Sequence, residues 1–344
     1  MGQAQTDTDK PVGRTDTSGG VAEEEIESRV GLRYTLSQVK RDPTALVGLG
    51  IIGLMTGIAL FAFIDSEVFG FLAQHQVFAN LGVERYWFAN TFWVNPENDP
   101  DTVQTLLPPV GLENLFGQGT WEHPLGTDNR GRDILVRLFY GTRIAIQVGF
   151  ISTVLGMAGG TIVGAVAGYY GGWVDDALMR AVETLYAIPF LVLVIAFMAA
   201  FGRDLTFAMI GVGITTIPTF SRLIRSRVVS VREEDYVEAA RAAGVRDRDI
   251  ILRHVIPNSF APVLVQATLQ IGIAILIVAG LSFLGYGAQP PTPSWGQMLA
   301  QSRGVMLVDP WFSLWPGLAI LVTVMGFNLL GDGLRDALDP RLNN

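Results

Sequence analysis

Residues 234–258 carry the most specific spacing of side chains in the sequence, which spells EDYVEAARAAGVRDRDIILRHVIPN. The first half is a strong helix former, and its alanines at 239, 240, 242 and 243 make a helix slim enough to enter a groove. Gly244 then permits a sharp turn. The second half is amphipathic and closes at Pro257. This spacing predicts a helix-turn-helix that docks into another protein, with an ordinary surface loop as the alternative.

A second group of charged residues lies in the segment HPLGTDNRGRDILVRLFYGTR, residues 123–143. Asp128 and Asp133 are of the type that caps a helix or interacts with its positive end. The arginines at 132, 137 and 143 carry charges for a protein partner or for lipid headgroups. We expect this segment to start a helix outside the membrane, with Arg132, Arg137 and Arg143 facing a protein partner or lipid headgroups.

The groups that enzymes use for catalysis are missing from the sequence. Because the chain has no cysteine, it has no thiol nucleophile and no thiolate zinc site. It contains no GxxxxGK[ST] phosphate loop, no HExxH and no GxSxG. Asp175 and Asp176 are neighbours that do not face each other on a helix, and we expect them in a solvated loop. His75 and His123 are isolated and are expected on the surface. We predict no catalytic residue, no cofactor and no metal on this chain.

The composition indicates a membrane protein. The 344 residues are 49% hydrophobic and 16% charged, whereas a soluble domain is about 25% charged. The net charge of −8 argues against a nucleic-acid partner. The long apolar stretches predict helices that cross a lipid bilayer. They begin near residues 44, 144, 185, 205, 263 and 312 and end near residues 64, 170, 201, 220, 284 and 330. We therefore predict an all-α membrane protein with six transmembrane helices.

The charges around these helices predict their orientation. Lys40 and Arg41 precede the first helix, which places the N-terminus in the cytoplasm. Six crossings then place both termini and the stretch 221–262, with its eight arginines, in the cytoplasm of a multi-pass cell-membrane protein. The predicted divisions are a cytoplasmic tail over 1–40, a first helix over 41–64, an extracytoplasmic insertion over 65–122 and a membrane domain over 123–341.

Two features inside the predicted helices bear on mechanism. Gly156, Gly160, Gly164 and Gly168 recur every four residues, which places them on one face and predicts close packing of helices. The apolar interiors hold almost no ionisable residue, although proton-coupled transporters need such groups there. A stand-alone secondary transporter is therefore disfavoured, and we expect the energy to come from a partner.

The segment 234–258 resembles the EAA loop of ABC importer permeases, with Glu238-Ala239-Ala240, Gly244 and Ile256-Pro257 in the positions of the pattern. Further blocks are similar to the C-type permeases of dipeptide, oligopeptide and nickel importers. They are residues 42–48, 123–143, 280–299, 310–320 and 327–341. The stretch 65–120 is longer than that family usually has.

The resemblance implies a type I ABC importer permease fold and a transport subunit rather than an enzyme. Such a permease pairs with a homologous B-type permease in the lipid bilayer, above two ABC ATPase subunits that bind ATP and magnesium. An extracytoplasmic substrate-binding protein delivers the solute. The resemblance assigns ATPase coupling to Glu238, Ala239, Ala240, Gly244 and Pro257. It implies di- or oligopeptides as the solute, with nickel or another small solute as the alternative.

Overall fold

The computed structural model describes residue 40 and residues 42–75, 82–97 and 104–338, so the predicted tail over 1–40 lies almost wholly outside it. The regular secondary structure of the described chain is helical apart from an isolated bridge between Thr127 and Asp133 and one antiparallel hairpin, in which β1 (Glu113–Asn114) pairs with β2 (Gly117–Gln118). Its α-helices are α1 Pro43–Phe63, α2 Phe69–Gln74, α3 Trp87–Phe92, α4 Ile134–Tyr170, α5 Gly172–Ala187, α6 Phe190–Phe201, α7 Leu205–Val231, α8 Asp235–Ala242, α9 Asp247–Ile250, α10 Ile256–Ser259, α11 Ala261–Phe283, α12 Trp295–Ser302 and α13 Trp311–Leu338. Two π-helical turns, Ile64–Val68 and Ile251–Val255, continue α1 and α9.

Five helical stretches are long and apolar enough to cross a membrane. The first joins α1, its π-turn and α2 over Pro43–Gln74, and the others are α4, α7, α11 and α13. The pair α5 and α6, bent by 89°, makes a sixth when it is counted as one span. Counted in this way, the described helices agree with the predicted six-span helical membrane protein.

The bend between α5 and α6 corrects the prediction of one apolar helix from residue 185 to residue 201. Pro189 lies between the two helices, and Ile188 before it is extended. Proline has no N–H group and disfavours a helical conformation in the preceding residue, so α5 ends there. Asp175 also differs from its prediction, since it lies in α5 and pairs with Arg225 of α7 instead of facing solvent from a loop.

Several helices extend beyond the bounds predicted from hydropathy. The first helical stretch passes residue 64 and continues to Gln74, inside the predicted insertion. α4 starts at Ile134 instead of residue 144, and α7 reaches Val231, so the predicted cytoplasmic loop over 221–262 begins as a helix. A charged residue ends an apolar run without ending a helix, because the backbone hydrogen bonds continue where the helix leaves the hydrocarbon.

The predicted glycine ladder lies where α4 packs against α7. Its four glycines are buried. A Cβ atom added at Gly168 would lie 2.9 Å from Val228 Cγ1 and 3.0 Å from the carbonyl oxygen of Arg225. On the facing helix, a Cβ at Gly213 would lie 2.9 Å from Leu155 Cβ. Only residues without a side chain allow backbones to approach this closely, which confirms the predicted role in helix packing.

Candidate functional site

α8 and α9 form the helix-turn-helix predicted for residues 234–258, which we call the coupling segment. At the end of α8, the N–H of Val245 donates to the carbonyl of Ala240 at 3.1 Å, and the N–H of Gly244 donates to that of Arg241 at 3.0 Å. This pair of bonds is a Schellman turn, which requires a left-handed residue after the helix. Gly244 supplies it with a φ of +78°.

One face of the coupling segment packs against the membrane helices. Val237, Ile250 and Val255 are fully buried and join one apolar cluster with Ile224 and Val228 of α7. The predicted amphipathic pattern is confirmed in this part of the segment. Burial of these side chains attaches the segment to the bundle through apolar contacts.

The opposite face of the coupling segment is open to solvent. Glu238, Ala239 and Gly244 are exposed, and Ala240 is half-buried. The exposed surface also includes large side chains: Tyr236 is 43% exposed, Val245 38% and Leu252 52%. Glu238, Ala239 and Gly244 therefore lie on an open surface that combines small and apolar side chains with charged ones such as Arg241 and Arg248.

Pro257 differs from its prediction. It was expected to close the coupling segment, but it lies in the first turn of α10, which continues to Ser259. The π-turn Ile251–Val255 leads directly into α10, so Pro257 lies within continuous helical backbone and not at its end. Pro257 is exposed, like Glu238, but it is separated from the α8 turn by α9 and a π-turn.

Asp128 and Arg132 form a buried ion pair. Arg132 Nε donates to Asp128 Oδ2 at 2.8 Å, and the two residues are 1% and 0% exposed. Asp128 Oδ1 also accepts the N–H groups of Arg130 and Arg132, and Arg132 Nη2 donates to Gln301 of α12. The prediction that Arg132 faces a partner or lipid is therefore wrong. Asp128 stabilises its own loop and does not cap a helix.

Asp133 caps the long helix α4, as predicted. Its Oδ1 accepts the N–H of Val136 at 2.9 Å, and its Oδ2 lies 2.9 Å from His123 Nδ1. The hydrogen bond with Asp133 raises the pKa of His123. His123 was predicted on the surface, but this bond holds it half-buried. Across the described residues, no group of three His, Cys, Asp or Glu side chains is placed to hold a metal ion.

The other two arginines of this segment also point inward or pair locally. Arg137 is fully buried and donates to the carbonyl of Pro96 at 3.0 Å and to Gln297 of α12 at 3.2 Å. Arg143 donates to Ser66 and Glu67 in the π-turn after α1. Their predicted outward orientation is wrong, because these charges join α4 to the insertion and to α12. We call residues 123–137, with Gln297 and Gln301, the 123–137 cluster.

Asp65 is a buried acid whose position sequence reasoning did not identify. It lies in the π-turn after α1 and is 0% exposed. Its carboxylate accepts the N–H of Phe88 at 2.7 Å and the hydroxyl of Tyr140 at 2.5 Å. Because every hydrogen bond to this carboxylate comes from a residue at least 23 positions away, no local sequence pattern signals this role.

The 123–137 cluster and the coupling segment lie at opposite ends of α4. Asp133 caps its first turn, and Tyr169 at its last turn donates to Asp247 of the coupling segment. The helix has 37 residues, which corresponds to about 55 Å at 1.5 Å per residue. One continuous helix thus joins the two groups of residues predicted from the sequence.

Comparison with known proteins places this architecture in a family. Residues 160–344 match the family described as "Binding-protein-dependent transport system inner membrane component". The dipeptide transport system permease protein DppC of Alkalihalophilus pseudofirmus is 39% identical over 99% of this chain and 100% of its own length. The glutathione transport system permease protein GsiD of Pectobacterium atrosepticum is 45% identical over 80% of this chain and 90% of its own.

A solved structure is also similar. An inward-facing form of the MetNI methionine ABC transporter aligns over 59% of this chain and 96% of its own, with 19% identity and a TM-score of 0.49. The family match covers more than half of the chain, and the relative DppC matches it over almost its whole length. The chain therefore belongs to the inner membrane components of binding-protein-dependent transport systems, as a permease subunit of an ABC importer.

Proposed function

We propose that this permease carries di- or oligopeptides across the membrane in an ATP-driven importer. The likeness to DppC over 99% of the chain carries the proposal. GsiD, at 45% identity, is named for glutathione, which is itself a small peptide. Two relatives named for peptide-like solutes favour this class over nickel or another small solute.

The proposed complex contains a homologous B-type permease, two ABC ATPase subunits and an extracytoplasmic binding protein. ATP and magnesium bind on the ATPase subunits. The exposed face of α8 and its turn, with Glu238, Ala239, Ala240 and Gly244, docks on an ATPase. The support is geometric, because this face is exposed and carries small side chains such as those of Ala239 and Ala240. The opposite face is buried against α7. Pro257 contributes by shaping the return from α9 toward α11.

The proposed mechanism is alternating access, in which ATP binding shifts the population between inward- and outward-facing states. Closure of the two ATPases moves the coupling segment, which moves the ends of α4 and α7. In the proposed orientation both termini and the coupling segment are cytoplasmic, and the 123–137 cluster is extracytoplasmic. The arginine-rich composition of 221–262 supports this orientation.

A stand-alone secondary transporter receives no support from the buried acid in the first span. An ion-coupling carboxylate needs room to bind and release its ion. The carboxylate of Asp65 is instead occupied by the hydroxyl of Tyr140 and by backbone N–H groups of α3.

The test is uptake by the complete importer reconstituted in proteoliposomes, with ATP inside and the loaded binding protein outside. We expect a labelled dipeptide to accumulate only when ATP is present. Accumulation of nickel and not of peptides would reject the peptide assignment. Uptake that needs an ion gradient and no ATP would reject the importer mechanism.

A further inference from the structure

We propose that the hydrogen bond between Tyr169 and Asp247 is the positioning contact that makes the coupling segment and α4 move together. This inference rests on the proposed function and names the side chains that transmit the motion. Tyr169 Oη donates to Asp247 Oδ1 at 2.7 Å. The donor lies at the end of a membrane helix, and the acceptor is the first residue of α9.

The ring of Tyr169 is held firmly enough to act as a reference point. Its side chain is 6% exposed and belongs to the same apolar cluster as Val237, Ile250 and Val255. Packing on the ring limits its rotation, so the position of the hydroxyl follows the end of α4.

Tyr169 contacts both helices of the coupling segment. Its hydroxyl binds Asp247 at the start of α9, and the guanidinium of Arg241 in the last turn of α8 lies 5.6 Å from the centre of its ring. A cation over an aromatic face is attracted to it. The turn at Gly244 connects these two helices, so Tyr169 fixes both sides of the turn that we assign to docking.

A second bond fixes the chain just before α8. Arg232 Nη1 donates to the carbonyl oxygens of Gly168 and Tyr169, at 3.0 and 3.4 Å. These carbonyls belong to the last turn of α4, where no further N–H group of the helix can reach them and a cation is favoured. Arg232 therefore joins the entry to the coupling segment to the same helix end.

The apolar face of the segment does not provide this control alone. Apolar contacts are non-directional, so burial of Val237, Ile250 and Val255 holds the segment on the bundle without setting the distance and angle between two particular atoms. A hydrogen bond to a carboxylate constrains both distance and angle. Without the Tyr169 hydroxyl, the ATPase would move the coupling segment while α4 follows less completely.

The chain offers a closely matched pair of variants. Tyr169→Phe removes only the hydroxyl, and Tyr170→Phe makes the same change at a neighbouring ring that is 51% exposed. In the reconstituted importer, we expect Tyr169→Phe to lower the number of peptides imported per ATP hydrolysed by about tenfold, the scale set by loss of one hydrogen bond to a charged group. Tyr170→Phe should leave this ratio unchanged. Asp247→Ala should act like Tyr169→Phe, and the double variant should lose no more than either single variant.

A second measurement needs neither substrate nor ATP, so it is independent of the proposed function. Because the chain has no cysteine, spin labels at Arg248→Cys and Ile162→Cys, two exposed positions, report the distance between the coupling segment and α4. In the full chain in nanodiscs we expect a narrow distance distribution that broadens with Tyr169→Phe and not with Tyr170→Phe. An unchanged distribution in Tyr169→Phe, or an unchanged import ratio in an importer that transports peptides, would overturn the proposal.

Discussion

The hydroxyl of Tyr140 on α4 donates to Asp65 Oδ2 at 2.5 Å, which joins the second span to the π-turn that extends the first. Asp65 also accepts N–H groups at the start of α3, so one carboxylate fixes α1, α3 and α4 to one another. These buried hydrogen bonds attach the insertion to the membrane domain. These hydrogen bonds explain how a buried acid is accommodated next to an apolar helix that carries no charge over Pro43–Phe63.

Tyr140→Phe should destabilise the protein without changing its fold. It removes one of the donors to a fully buried carboxylate, which costs about 1–3 kcal/mol. A lower midpoint of thermal unfolding in detergent, followed by tryptophan fluorescence, would show this effect. Tyr170→Phe serves as the control, since its ring is half-exposed. Equal midpoints for the two variants would mean that the bond to Asp65 contributes nothing to stability.

Two substitutions at Gly244 distinguish the effect of the turn's conformation from its effect on docking. Its φ of +78° suits glycine and is tolerated by asparagine and aspartate, and no atom lies within 4 Å of an added Cβ. Gly244→Asn and Gly244→Asp should therefore fold alike, within about 1 kcal/mol of the wild type. Only the aspartate adds a charge on the docking face, so we expect it to suppress ATPase activity stimulated by the binding protein. Full stimulation of ATPase activity in Gly244→Asp would mean that this turn is not part of the docking surface.

The pair formed by His123 and Asp133 should make the stability of the protein depend on pH. The bond to Asp133 raises the pKa of His123 above its ordinary value of 6.5. The stabilisation is therefore complete below about pH 6.5 and declines as the pH rises through the higher pKa of the folded protein. His123→Gln should lower the unfolding midpoint more at pH 6 than at pH 9. His75→Gln, at an exposed position, is the control, and parallel losses at both pH values would contradict the assignment.

The features that could be predicted from the sequence are those set by local pattern. The glycine ladder repeats every four residues, and the Schellman turn needs only Gly244 after a run of helix formers, so both could be recognised without tertiary information. The exposed coupling face follows from the same run of alanines. The docking role that we propose for this face comes from resemblance to a known family, because the physical pattern alone leaves an ordinary surface loop as the alternative.

The inward direction of Arg137 and the role of Asp65 could not be predicted because their contacts are distant in sequence. Arg137 and Gln297 are 160 residues apart, and Asp65 and Tyr140 are 75 residues apart. An arginine next to an apolar run is usually placed at a membrane surface, whereas here buried acceptors determine its direction. Likewise, hydropathy alone did not show that Pro189 divides the third span.

Cross-linking from the coupling segment tests the central claim most directly, namely that its exposed face docks on a separate ATPase. The absence of native cysteine allows a single photo-reactive label at Ala239→Cys, with Ile162→Cys on α4 as the control. Our account predicts that the label at residue 239 captures the ATPase subunit of the assembled importer, with a yield that changes when ATP binds, and that the label at residue 162 does not. Equal capture of the ATPase from both positions, or none from residue 239, would contradict it.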